Sequence, residues 1–171
     1  FLQCEKYQKE DHLFFNNLNL KKFQTYTWLD TSHNVLKLAK FLNEKNITKG
    51  DRVLLVSENR PEWLIADLAI LLNSAITVPN YTTYTVNDFA FTINDCKPSG
   101  LIVSSPLLLK NILLAAKKIN YNSKDKNIYR VFMIGGSTME QIFLDDNKKT
   151  IKNNTAKASL SKLVFIGLTK K

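Results

Sequence analysis

The chain has 171 residues, 44% of them apolar and 23% charged, with 5 glycines, 4 prolines and 2 cysteines. That is one globular domain's worth of residues with enough apolar material for a core, and it excludes collagen-like and disulfide-scaffold classes. The net charge of +9 raises nucleic acid as a partner, but only Arg52, Arg60 and Arg130 carry the guanidinium that bidentate phosphate and guanine recognition favours.

The remaining 21 basic residues are Lys, and 18 Asn accompany them, a pairing that reflects base composition in a gene more than a binding site. Residues 1–109 hold 11 basic and 11 acidic groups, whereas residues 110–171 hold 13 and 4. The excess charge therefore lies in the last third, as a solvated Lys-rich face or a contact for an anionic partner. No apolar run reaches the roughly 20 residues that span a bilayer. The start, Phe1-Leu2-Gln3-Cys4, lacks the basic-then-apolar order of a signal peptide. Cys4 and Cys96 suit a reducing, cytoplasmic setting and read as small buried apolar residues.

In chain order, residues 1–24 read as an irregular N-terminal segment. Residues 25–144 read as an α/β subdomain, and 145–171 as a Lys/Asn-rich linker with a truncated final strand. Tyr26-Thr27-Trp28 is a short β segment. Asp30 or Thr31 caps the next helix, in which Val35, Leu38, Ala39 and Leu42 recur at helical spacing. His33 lies in its first turn as a surface residue. Lys49-Gly50-Asp51 is a turn, and Arg52 to Val56 is a strand buried on both faces.

Pro61 suits the first turn of a helix that runs to Leu72 and is apolar nearly all round, so it should be buried. Ala75 to Val78 is a strand stopped by Pro79. Thr85 and Asp88 form a capping box for a helix to about Asn94. Leu101 to Val103 is a strand, and Ser105-Pro106 starts a helix to Ile119. Tyr129 to Ile134 is a strand that Gly135-Gly136-Ser137-Thr138 turns into a short helix. Leu163 to Ile166 is the last strand. This alternation predicts an α/β fold: a doubly wound, mostly parallel sheet with helices on both faces.

Little self-contained chemistry is visible. Two His and two Cys stand at no metal-ligand spacing. No nucleophile elbow, P-loop or dinucleotide-binding glycine motif fits. Gly135-Gly136-Ser137-Thr138 could hold an anion on free backbone N–H groups, although a plain turn uses the same glycines.

The order of landmarks is more specific than any one of them. Tyr26-Thr27-Trp28 is followed by Lys49-Gly50-Asp51-Arg52-Val53, by Asn59-Arg60-Pro61-Glu62-Trp63, and by Val78-Pro79 with Tyr81 and Thr83. Phe89 to Asp95, Lys97-Pro98 and Ile102-Val103-Ser104 complete the series. It resembles the start of the adenylate-forming, AMP-binding superfamily of acyl-CoA synthetases and luciferases. Val78 to Thr83 is most similar to the long-chain fatty-acid CoA ligase branch.

The resemblance implies that the complete enzyme activates a fatty acid with ATP and Mg²⁺ to an acyl-adenylate, then passes the acyl group to coenzyme A. It also implies a Ser/Thr/Gly-rich phosphate loop ending in Pro-Lys-Gly after a strand. Leu163 to Ile166 stands where that strand would be, and Gly167-Leu168-Thr169-Lys170-Lys171 follows, with Thr169 and Lys170 as the stub of the loop. No catalytic, cofactor-binding or metal residue is carried over, and Arg60, Glu62 and Trp63 read as helix start and packing. The expectation is an N-terminal fragment of an AMP-forming long-chain fatty-acid CoA ligase, inactive alone, cytoplasmic and without nucleic acid. Residues 110–171 would permit peripheral membrane contact. The alternatives are a stand-alone α/β module docking on a partner chain, or a basic domain binding nucleic acid or membrane.

Overall fold

Three strands and three helices in strict alternation, Arg52 to Lys118, build the centre of the molecule. The structure is a computed structural model that describes residues 2–17, 21–119, 130–135, 138–143 and 165–167. Before the centre come helix α1 (Leu2–Lys6), strands β1 (Asp11–Asn17) and β2 (Lys22–Thr27), and helix α2 (Trp28–Glu44). The centre holds β3 (Arg52–Val56), α3 (Pro61–Leu72), β4 (Ile76–Asn80), α4 (Val86–Cys96), β5 (Gly100–Val103) and α5 (Pro106–Lys118). Strands β6 (Arg130–Gly135), β7 (Thr138–Phe143) and β8 (Phe165–Gly167) follow.

The main sheet has the order β4-β3-β5-β6-β7-β8. From β4 to β6 neighbouring strands are parallel, and β7 and β8 are added antiparallel. The expected parallel, doubly wound sheet is thus present, with an antiparallel margin. That margin corrects one reading: Gly135 and Thr138 face each other across an antiparallel pair, so the chain passes from strand to strand there and not into a helix. Gly136 and Ser137 lie outside the described residues.

Strand β3 shows why the sheet is covered on both sides. Its side chains alternate, as pleating requires. Val53 and Leu55 join one apolar cluster with α2, α3 and Ile102. Leu54 and Val56 join the other with α4, α5, Leu101 and Val103. An uninterrupted apolar run is what a strand buried on both faces needs.

Four local readings are corrected. Residues 1–24 are not irregular among the described residues: β1 and β2 form an antiparallel two-stranded sheet held to α2. There His12 stacks on Trp28 with ring centres 3.6 Å apart, and its Nδ1 lies 3.3 Å from Thr31 Oγ1. Thr31 gives its own proton to the Thr27 carbonyl, so His12 is the donor, and burial lowers its pKa. Second, α2 is capped by Thr27, not by Asp30 or Thr31. Thr27 Oγ1 accepts from the Asp30 N–H while the Asp30 carboxylate accepts from the Thr27 N–H. The same reciprocal box, Thr85 with Asp88, starts α4 as expected.

Third, Pro79 lies inside β4 and does not stop it. Strand β4 is the sheet's edge, where a missing N–H removes no ladder bond. Fourth, α3 buries only part of its surface. Ile65, Ala66, Ala69 and Ile70 are buried, while Leu68, Leu71 and Leu72 stay exposed.

Candidate functional site at the carboxyl ends of the parallel strands

From β3 the chain goes to β4 on one side, then crosses to β5 on the other. In open α/β sheets such a reversal leaves a crevice at the carboxyl ends of the two diverging strands, and ligands bind there. Here the crevice is flanked by Ser57 and Glu58 after β3 and by Ser104 and Ser105 after β5. The Ser104 N–H bonds the Val56 carbonyl at 3.1 Å, prolonging the ladder by one step. Ser104 Oγ then donates to the carboxylate of Glu58, and Ser57 Oγ donates to the Glu58 carbonyl at 3.0 Å. Ser57 and Ser104 are buried, whereas Glu58 is exposed. A carboxylate is thus held at the mouth of the crevice by a hydroxyl from the neighbouring strand, an acceptor for hydroxyl, amine or cationic groups.

Asn80 closes β4 and is buried. Its Nδ2 donates to Thr92 Oγ1 at 3.0 Å, tying the strand end to α4. Its Oδ1 is buried without a partner.

Arg60, Glu62 and Trp63 act as the helix start that the sequence suggests. Arg60 is the N-cap residue and Pro61 follows it. Arg60 Nε donates to Glu62 Oε2 at 2.9 Å, so the buried Glu62 carboxylate is paired and the guanidinium is engaged. Trp63 packs against the α2/α3 cluster. Tyr26 lies close to this pair: burial raises its pKa first, and the Glu62 carboxylate adds to that. His33 is exposed, as expected, but it lies in the second turn of α2, because Thr27 caps the helix earlier than the sequence suggests.

Cys4 and Cys96 are half-buried free thiols, not the fully buried residues expected, and burial pushes the Cys96 thiol up. Gly135 ends a strand in the antiparallel margin, away from the reversal between β3 and β5. Thr169 and Lys170 lie outside the described residues. Sequence reasoning missed Ser57, Glu58, Asn80 and Ser104. Their signal was available: each begins or closes the polar stretch directly after an apolar strand.

Among the described residues, no group of three or more His, Cys, Asp or Glu could hold a metal ion. The described residues therefore offer no such cluster to Mg²⁺, and no step through the ion is assigned to them. A small cavity between the sheet and helices α4 and α5 is lined by Leu54, Ile93, Pro98, Leu101, Ile112, Leu113 and Ala116. Those apolar walls offer no hydrogen bond to a nucleotide.

The fold and its crevice define a class: an α/β sheet that presents a ligand-binding edge at a topological switch point. Solved structures share its fold. A luciferase-like enzyme from the mealworm Zophobas morio superposes with a TM-score of 0.65 at 23% identity, over 78% of this chain and 29% of that one. A benzoate CoA ligase from Burkholderia xenovorans does so with a TM-score of 0.62 at 16% identity, over 79% and 24%. At these identities the likeness shows the fold alone.

Sequence supplies the family. The model of the AMP-binding enzyme family matches residues 2–166, and the chain belongs to that family. Among curated relatives, acyl-coenzyme A synthetase ACSM3 of Rattus norvegicus is 30% identical over 89 residues, covering 52% of this chain and 15% of that protein. Long-chain-fatty-acid–CoA ligase 6 of Mus musculus is 32% identical over 102 residues, 54% and 14%. The long-chain-fatty-acid–CoA ligase of Bacillus subtilis is 30% identical over 93, 54% and 17%. The aligned chain thus spans about a sixth of each relative or less.

Proposed function

We propose that this chain is the first α/β portion of an AMP-forming fatty-acid CoA ligase that acts on long-chain acids. The observation that carries this reading is the family match over residues 2–166. The long-chain branch is favoured by Val78-Pro79-Asn80-Tyr81-Thr82-Thr83 and by the long-chain ligases among the relatives.

In the complete enzyme a carboxylate oxygen of the acid attacks the α-phosphorus of ATP, and pyrophosphate leaves. The thiolate of coenzyme A then attacks the acyl carbonyl, and AMP leaves. Mg²⁺, when bound, would neutralise the phosphate charge. The described residues contribute a rigid sheet that presents Glu58, Ser104 and Asn80 at its binding edge, and the 171-residue polypeptide alone forms no adenylate. Free thiols at Cys4 and Cys96 are in keeping with a cytoplasmic setting. The basic residues 110–171 are in keeping with peripheral attachment to a membrane, where long-chain acids partition.

The test is pyrophosphate exchange, measured with palmitate, hexanoate and benzoate. The whole protein should exchange with palmitate in preference to the other two, and the 171-residue polypeptide with none. Acyl-AMP made by the polypeptide alone would overturn its role as a frame. Preference for benzoate would overturn the long-chain assignment.

A further inference from the structure

We infer that the outer face of α5, with one residue of α4, is a docking surface for an anionic lipid membrane. The inference rests on the long-chain ligase reading, because it says where such an enzyme would meet its acid. Helix α5 contains Lys110, Lys117 and Lys118 and no acidic residue. None of these lysines forms an ion pair among the described residues. All three are exposed.

Two leucines of the same helix point outward beside them: Leu107 is 67% exposed and Leu114 is 46% exposed. Positions 107, 110, 114, 117 and 118 fall on one helical face, since they are spaced by three, four or seven. The opposite face is fixed in the core by Leu108, Leu109, Ile112 and Ala115, so the helix cannot rotate these leucines inward. Lys118 Nζ bonds Asn87 Oδ1 on α4 at 2.6 Å. One turn further along α4 from Asn87, Phe91 is 74% exposed, extending the apolar ridge.

Charge complementarity selects the occupant. Apolar side chains flanked by lysines match an interfacial helix, which sinks its apolar residues to the acyl boundary while the ammonium groups meet anionic headgroups. A nucleic acid would use the lysines but leave Leu107, Leu114 and Phe91 in water. Docking is in the plane of the surface: among the described residues, no helix is long and apolar enough to cross a membrane.

The experiment is co-sedimentation of the whole protein with vesicles of phosphatidylcholine alone or with 30% phosphatidylglycerol. Binding should appear only with the anionic vesicles. Each lysine near such a surface contributes about fivefold (about 1 kcal/mol), so K110Q/K117Q/K118Q should lower binding on the order of a hundredfold. F91S/L107S/L114S should also release the protein, at unchanged melting temperature because these side chains are exposed.

Equal binding to neutral vesicles, or no loss in either variant, would overturn the inference. So would salt-sensitive binding to duplex DNA in place of vesicles. Lysines 110, 117 and 118 that resist an amine-reactive reagent without lipid would also overturn it, since the face would then be internal to the enzyme. Palmitate-dependent pyrophosphate exchange is read in parallel. If it persists while docking fails, the docking surface falls and the ligase reading stands.

Discussion

The two faces of the central sheet are built from alternate residues of the same strands, yet they are filled differently. The face under α2 and α3 is closed with small residues: Ala39, Ala66, Ala69 and Ala75 are all buried there. The face under α4 and α5 buries two alanines, Ala90 and Ala115, and has Phe89 fully buried. It also retains the apolar cavity between Leu54, Ile93 and Ile112. Small residues let helices approach closely, whereas large residues leave voids where their shapes do not interlock. The outer surfaces differ in the same way. One shows the leucines of α3 and the other a basic face with apolar points.

Adjacent leucines test that contrast most strongly. Leu54 and Leu55 are both fully buried, but Leu54 borders the cavity and Leu55 does not. Both alanine variants should be destabilised by about 2–5 kcal/mol, with Leu54→Ala the costlier because it enlarges an existing void. Denaturant unfolding of the two variants decides this, and the reverse ranking would mean that the α4/α5 face relaxes into the gap.

The two capping boxes give a smaller, sharper comparison. Thr27→Ala and Thr85→Ala should each cost about 1 kcal/mol. The loss should be greater at Thr27, whose box is part-buried against the hairpin, than at Thr85, whose box is exposed. Thermal melts at equal ionic strength measure the difference.

The Thr85 box also has a pH signature. Hydrogen bonds from the Thr85 hydroxyl and N–H lower the Asp88 pKa below the ordinary carboxylate value. A lowered folded-state pKa contributes stability that is present above the unfolded value and is lost as pH falls through the folded one. Carbon-13 titration of the Asp88 carboxyl should show the low value, and Thr85→Val should return it toward normal. The smallest effect belongs to the outer surface: Leu71→Ser should change stability by no more than about 0.5 kcal/mol, against several for the buried Ile70→Ala.

Much of the central fold was legible in order. Apolar runs marked β3 and β5, Pro61 and Pro106 marked helix starts, and the alternation implied a parallel sheet. The antiparallel margin was not legible, because Gly135-Gly136 serves a strand-to-strand and a strand-to-helix passage equally well. The first hairpin was also missed: its strands, DHLFFNN and KFQTYT, mix polar and apolar residues without a sustained alternation and draw their support from α2. Of the candidate site, the ordered landmarks led to the family. The Glu58–Ser104 contact was out of reach because its partners are 46 positions apart.

What the sequence determined by itself was local and periodic: the capping boxes, the helix-starting prolines, the both-sided burial of β3 and the landmarks of the AMP-binding family. Each depends on residues within one or two turns, or on their order. Tertiary structure decided what depends on neighbours distant in the chain. It set β4 at the edge, where Pro79 is harmless, and reversed the winding between β3 and β5 so that Glu58 meets Ser104. Among the described residues, it also left one face of α3 and one of α5 uncovered. Strand order is a choice among long-range pairings whose energies are similar along any apolar run, and only the packing of all elements together settles it.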